Sequence, residues 1–179
     1  MSATGKTTLG KALSRKMKLP FLDKDLLSDP LTNFILKDKF KSTDRSLDYY
    51  KNNLRSIEYN ILFDQIKIQA SLGIGSVAVS PFSEEFVCSN FLKNFSKEIN
   101  KIDSKMTLIP ILLYLDEATA KERIFNRNRP EDQGKLQDFS VFFNNYQNKI
   151  YSDEIKLKIN NLDIVESLKI IEDFLKKAA

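Results

Sequence analysis

A chain of 179 residues, 42% hydrophobic and 29% charged with a net charge of +4, holds enough apolar material for one packed core and reads as a single domain over 1–179. With no histidine and one cysteine, Cys88, it has neither an internal disulfide nor a His/Cys zinc site, so any proton-transfer group must be Asp, Glu, Lys or Tyr. A lone cysteine fits a reducing cytoplasm, no apolar run reaches membrane-span length, no secretory leader pattern opens the chain, and lysines spread among acids form no dense basic stripe for nucleic acid, despite a pI near 9.0.

The first element is the most telling. Ser2-Ala3-Thr4-Gly5-Lys6-Thr7-Thr8 supplies the second half of the phosphate-binding pattern G-x-x-x-x-G-K-[ST], whose first glycine falls one residue before Met1. Leu9, Ala12, Leu13 and Met17 then recur at helical spacing, so a helix starts at Lys6. Its free N–H groups and positive dipole end face the loop. Gly5 lets the backbone approach an anion closely. A nucleoside triphosphate is the ligand this arrangement suits: Thr4, Gly5, Lys6, Thr7 and Thr8 would hold ATP, with Lys6 on the β- and γ-phosphates and the Thr7 hydroxyl on Mg²⁺. The plainer alternative is an ordinary helix start capped by Ser2 or Thr4.

Residues 19–22 form a short apolar strand that ends at Asp23-Lys24-Asp25. Ligands of open parallel sheets collect beyond the carboxyl ends of strands. There Asp23 would serve Mg²⁺ and Asp25 would take a proton from an acceptor hydroxyl, or both would simply cap the next helix. A helix is expected over 28–39, with Pro30 in its first turn. Thr43-Asp44 opens a long helix to about residue 72, closed by Gly73 and Gly75. Arg55 lies inside it, placed to meet a carboxylate or phosphate of a substrate or to pair with Glu58. Tyr49, Tyr50 and Tyr59 read as packing residues.

Residues 76–79 read as a buried strand, 83–101 as a helix, and the apolar run 108–115 as the clearest buried strand. A helix follows from 117 to about 126. The polar stretch 128–135, with Pro130 and Gly134, reads as a loop, and 126–137 as a mobile lid. Arg123, Arg127 and Arg129 in this region carry planar guanidinium groups that match phosphate oxygens and stack on bases. A helix over 138–151, an edge-type strand over 155–159 and a helix over 164–177 complete a pattern of strands alternating with helices. That pattern argues a parallel α/β sheet covered on both faces.

Gly5-Lys6-Thr7-Thr8, Asp23-x-Asp25, and Leu113-Tyr114-Leu115-Asp116 followed by Glu122-Arg123 and Arg127-Asn128-Arg129-Pro130 together resemble the P-loop small-molecule kinases. That group takes in the shikimate, gluconate and adenylate kinase-like enzymes and the related bacterial AAA-domain ATPases, zeta-toxins and chloramphenicol phosphotransferases. The resemblance implies a sheet of order 2-3-1-4-5, in which the first, central strand is missing from this chain and leaves a gap between the third and fourth. It implies that Arg123 flanks adenine, that Arg129 touches the phosphates, and that Asp23 and Asp25 serve metal and substrate. No acidic residue follows the third strand at Ser80-Pro81-Phe82, so the metal role falls to Asp23. Residues 32–71 match none of these families closely enough to name an acceptor. The expected activity is ATP-dependent phosphoryl transfer to a small molecule. A truncated, non-catalytic nucleotide binder and a kinase acting on nucleic acid or another large acceptor are the alternatives.

Overall fold

Leu9 and Leu13, four residues apart on one face of α1 (Lys6–Met17), are buried against Leu113, Ile159 and Ile171, and this apolar cluster sits at the centre of the molecule. A computed structural model describes residues 3–128 and 132–178. After α1 the chain runs through β1 (Phe21–Asp23), α2 (Lys24–Phe40), a π-helical turn (Tyr50–Leu54), α3 (Arg55–Ser71), β2 (Val77–Val79) and α4 (Ser89–Ile102). It continues through β3 (Ile111–Tyr114), α5 (Glu117–Arg127), α6 (Gln133–Gln137), α7 (Phe139–Gln147), β4 (Leu157–Asn160) and α8 (Ile164–Ala178).

Among the described residues the strands form two parallel pairs. Phe21, Leu22 and Asp23 lie opposite Val77, Ala78 and Val79, and Ile111 to Tyr114 lie opposite Leu157 to Asn160. β2 and β3 share no ladder. These are the second-with-third and fourth-with-fifth pairings of the expected order, with the gap where the central strand would stand. An apolar cavity of about 320 Å³ lies along the opening and is lined by Val77, Ala78, Pro110 and Ile111. Helix α1 bridges the two pairs: it packs on β2 on one side and on α8 on the other. Gly10 makes the first of these contacts close, because a Cβ there would lie 2.5 Å from Val79 Cγ2 and 3.0 Å from Phe21 Cε2.

Several boundaries differ from the sequence reading, each for a local reason. Helix α2 starts at Lys24 rather than 28, because the Asp23 carboxylate accepts from Asp25 N at 2.9 Å and caps it there. Pro30 therefore lies well inside the helix. The carbonyl it cannot serve belongs to Leu26, a residue that is 65% exposed. The long helix does not open at Thr43-Asp44. Asp44 instead closes a local turn onto Ser46, and the helical segment then passes through the π-helical turn before α3. That turn buries Tyr50 and Leu54 against Leu36. Gly73, at φ 71°, does end α3.

Residues 83–87 are turns and α4 begins at Ser89, because Glu85 is drawn inward to Arg55. Strand β3 covers only Ile111–Tyr114 of the apolar run, since its partner strand is itself four residues long. The expected loop over 128–135 contains the start of α6, and α7 ends at Gln147 rather than near 151. No helix among the described residues is long and apolar enough to cross a membrane.

Candidate active site

An open cleft of about 1020 Å³ lies at the carboxyl ends of the strands. The loop Ala3–Thr8, Asp23 and Asp25 after β1, Ser80–Ser83 after β2, Arg123 and Arg127 of α5, Lys135, and Asn161–Ile164 after β4 all line it. Thus α/β topology brings to one place residues that are up to 161 positions apart in sequence.

The loop has the backbone its sequence requires. Gly5 caps α1 at φ 80°, a left-handed conformation, and its carbonyl accepts the Leu9 N–H at 2.9 Å. A Cβ on Gly5 would lie 2.5 Å from Asn161 Nδ2, so only glycine fits. The N-cap of α1 is Gly5 rather than Thr4, and glycine has no side chain to cap with; Ser2 lies outside the described residues. The first-turn amides of α1 therefore stand as donors at the cleft.

Lys6 lies over the loop, its Nζ 3.2 Å from Thr4 Oγ1. Burial lowers its ammonium to about 8, with Asp25 and Asp23 raising it and Arg127 and Lys135 lowering it. An anion placed among Lys6, Arg127 and Lys135 relieves that repulsion.

The Thr7 hydroxyl donates to Asp23 Oδ2 at 3.1 Å. Asp23 takes the capping role through Oδ1, which accepts from Asp25 N, and its Oδ2 meets the phosphate loop. This hydroxyl–carboxylate pair is a donor set that suits Mg²⁺, which takes one or two protein oxygens and completes its shell with water and phosphate oxygens. The described residues contain no group of three or more His, Cys, Asp or Glu side chains able to hold a metal by themselves. Asp25 lies at the cleft with Lys24 Nζ 2.9 Å from its carboxylate.

Arg123 donates to the carbonyls of Asn161 at 2.9 Å and Leu162 at 2.8 Å, which ties α5 to the loop after β4. Arg127 makes a two-point contact with Asp132, Nε to Oδ2 at 2.5 Å and Nη2 to Oδ1 at 2.7 Å, and Lys135 adds a third donor at 2.6 Å. Burial pushes the Asp132 carboxyl up, and the hydrogen bonds from Arg127 and Lys135 outweigh it, leaving the group below its ordinary range. Arg129 lies outside the described residues.

Arg55 is not among the cleft-lining residues. It contacts Glu84 at 3.0 Å and Glu85 at 2.9 Å and lies over the Tyr59 ring, 4.3 Å from its centroid. The expected pairing with Glu58 does not form. Glu58 is buried and accepts from Lys24 at 2.5 Å, Tyr50 at 2.7 Å and Thr32 at 2.6 Å. Burial pushes its carboxyl up, but these donors bring it below the usual range. The same network pushes the Tyr50 phenol up to about 12, through burial and its bond to Glu58.

Sequence reasoning missed Lys24, Glu84, Glu85, Asp132, Lys135 and Asn161, and gave Glu58 the wrong partner. Asn161 carried a usable signal, because it follows the last strand at its carboxyl end. Glu84 and Glu85 carried none, since their pairing with Arg55 across 29 and 30 positions depends on the fold, whereas Asp132 lies five positions from Arg127 and three from Lys135, within local reach.

Over nearly its whole length the chain superposes on kinases of known structure. A candidate kinase from Chloroflexus aurantiacus matches with a TM-score of 0.61 at 17% identity, covering 99% of this chain and 93% of that one. Shikimate kinase from Bacteroides thetaiotaomicron matches with a TM-score of 0.59 at 18% identity, covering 98% and 94%. An uncharacterized protein from Eubacterium ventriosum matches with a TM-score of 0.54 at 16% identity. No protein-family model matches the sequence, and no curated protein matches it. The fold is that of the P-loop small-molecule kinases.

Proposed function

We propose that this protein is a P-loop kinase that transfers the γ-phosphoryl group of ATP to a small-molecule acceptor. The observation that carries the reading is the Thr7–Asp23 contact of 3.1 Å at the mouth of α1, beside Lys6. It joins the phosphate loop to the first strand's carboxylate, which is the junction phosphoryl transfer needs for its metal. In this reading Thr4 to Thr8 receive the phosphates, Lys6 neutralises charge that develops on them, and Thr7 and Asp23 hold Mg²⁺. The metal would draw charge from the phosphate oxygens.

Arg123 flanks the base, and Arg127 and Arg129 close over the phosphates from a lid at 126–137. Asp25 accepts the acceptor's hydroxyl proton. Arg55 serves the acceptor, in exchange for its present contacts with Glu84 and Glu85. A single cysteine and these ligands fit a cytoplasmic protein.

The test is calorimetric titration of ATP with Mg²⁺ into the wild type and Lys6→Ala, followed by measurement of ADP formation across a panel of hydroxyl acceptors. The reading expects binding by the wild type and its loss in the variant. If the variant binds ATP as tightly as the wild type, the assignment fails. A second reading, nucleotide binding without transfer, is favoured by Arg55, which pairs with Glu84 and Glu85 and is not among the cleft-lining residues where an acceptor would sit. Tight ATP binding with no ADP formed under any acceptor would select it.

A further inference from the structure

We infer that Asn161 is the positioning residue of the phosphate loop. It lies just past β4, is 1% exposed, and all four of its polar groups are engaged. Its N–H donates to Tyr114 O at 3.1 Å, and its carbonyl accepts from Arg123 at 2.9 Å. Its side-chain Nδ2 donates to Thr4 O at 2.6 Å, and Oδ1 accepts from Ser167 Oγ at 2.8 Å. Thr4 O can only accept, so the amide edge facing it must be the nitrogen. Ser167, 1% exposed in α8, then donates to the other edge and keeps the amide from turning over.

The effect on the loop follows from peptide geometry. In a trans peptide the carbonyl and the next N–H point in opposite directions. Holding the Thr4 carbonyl toward Asn161 therefore sets the direction of the Gly5 N–H before any anion arrives. The same side chain occupies the space a Gly5 Cβ would need, 2.5 Å away, so it also reserves for glycine the left-handed turn that opens α1. The loop is held by a contact 157 positions away in sequence. Preorganised donors bind anions without paying for ordering at the moment of binding.

The anchor itself is independent of the nucleotide reading; only the ligand half of its test rests on that reading. Hydrogen exchange of residues 3–8 is compared in the wild type, Asn161→Leu and Ser167→Ala, each checked for folding by its melting curve. Affinities for inorganic tripolyphosphate and for adenosine are then measured with Mg²⁺. The inference expects faster exchange in 3–8 in both variants. It expects about a tenfold loss of tripolyphosphate affinity in Asn161→Leu, the worth of one buried hydrogen bond, with adenosine affinity unchanged. Backbone contacts to Arg123 survive the substitution, so a base-side loss is not expected. Wild-type exchange in residues 3–8 of folded Asn161→Leu would overturn the anchor, and so would equal losses for tripolyphosphate and adenosine. If Asn161→Leu fails to fold, Ser167→Ala decides by the same two readouts. If the wild type binds neither probe, the nucleotide reading fails and exchange alone decides the anchor.

Discussion

Lys6 gives the candidate site a proton signature that can be counted. Burial holds its ammonium at about 8 in the free protein, against an ordinary value of 10.5. A triphosphate brings several negative charges to Nζ and returns the group to at least about 10, since opposite charge favours the ionised form. Binding must then take up the proton that free Lys6 lacks: about 0.1 at pH 7, about 0.5 at pH 8 and about 0.8 at pH 9, for a free group at about 8 and a bound one at about 10. Because only protonated Lys6 grips phosphate, affinity falls by about tenfold per pH unit above about 8, until the bound group itself titrates.

Calorimetry of ATP with Mg²⁺ at these three pH values, in buffers of differing ionisation heat, reads the uptake directly. Lys6→Met removes it. Linkage in the ligand-free protein has the opposite sign. The folded pKa is depressed, so the unfolded chain holds more protons between about pH 8 and 10.5, and stability rises with pH across that window. The reasoning is refuted if wild-type uptake at pH 9 is near zero, or if Lys6→Met takes up as many protons.

Asp23→Asn keeps a good cap on α2, because asparagine caps as well as aspartate, but removes a charge from the metal site. Its melting temperature should stay near that of the wild type while the Mg²⁺ concentration for half-maximal ATP binding rises about tenfold or more; an unchanged Mg²⁺ requirement counts against Asp23 as a metal ligand. Glu58→Ala leaves the buried Lys24 ammonium with Asp25 alone and takes the acceptor from Thr32 and Tyr50, and should destabilise the fold by about 3–5 kcal/mol in urea melts. Because the Glu58 pKa is lowered in the fold, its contribution is present above its ordinary range near 4.5 and fades as pH falls through the folded value, so the wild-type advantage over the variant should shrink in acid. Gly10→Ala gains helix propensity of about 1 kcal/mol but drives a methyl against Val79 and Phe21, an overpacking cost of about 1–3 kcal/mol; a higher melting temperature would show that β1 and β2 yield more easily than their packing implies.

Local pattern carried a good deal of this protein. Gly5-Lys6-Thr7 before the Leu9/Leu13 stripe marked a loop feeding a helix, and the loop does feed α1 with glycine in a left-handed turn. The alternation of apolar runs and amphipathic stretches revealed four strands in the right places and a parallel arrangement, because the 2.0 and 3.6 periods are properties of the backbone itself. Asp23 was legible as a cap or a metal residue; the fold shows the cap on α2 through one oxygen, and only the packing of α1 beside β1 brings the other oxygen to the Thr7 hydroxyl.

Charge pairing was illegible for a different reason. Arg55 and Glu58 are one helical turn apart, where a local ion pair is the natural expectation. In the fold Glu58 turns inward to Lys24, Thr32 and Tyr50, while Arg55 turns to Glu84 and Glu85. Helix faces are divided between neighbours by tertiary packing, and no spacing rule encodes which neighbour lies on which face. Asn161 shows the same limit most clearly: its place after β4 is a matter of sequence, but its grip on Thr4 exists only because β4 and α1 are brought side by side around the core of Leu9, Leu13, Leu113 and Ile159.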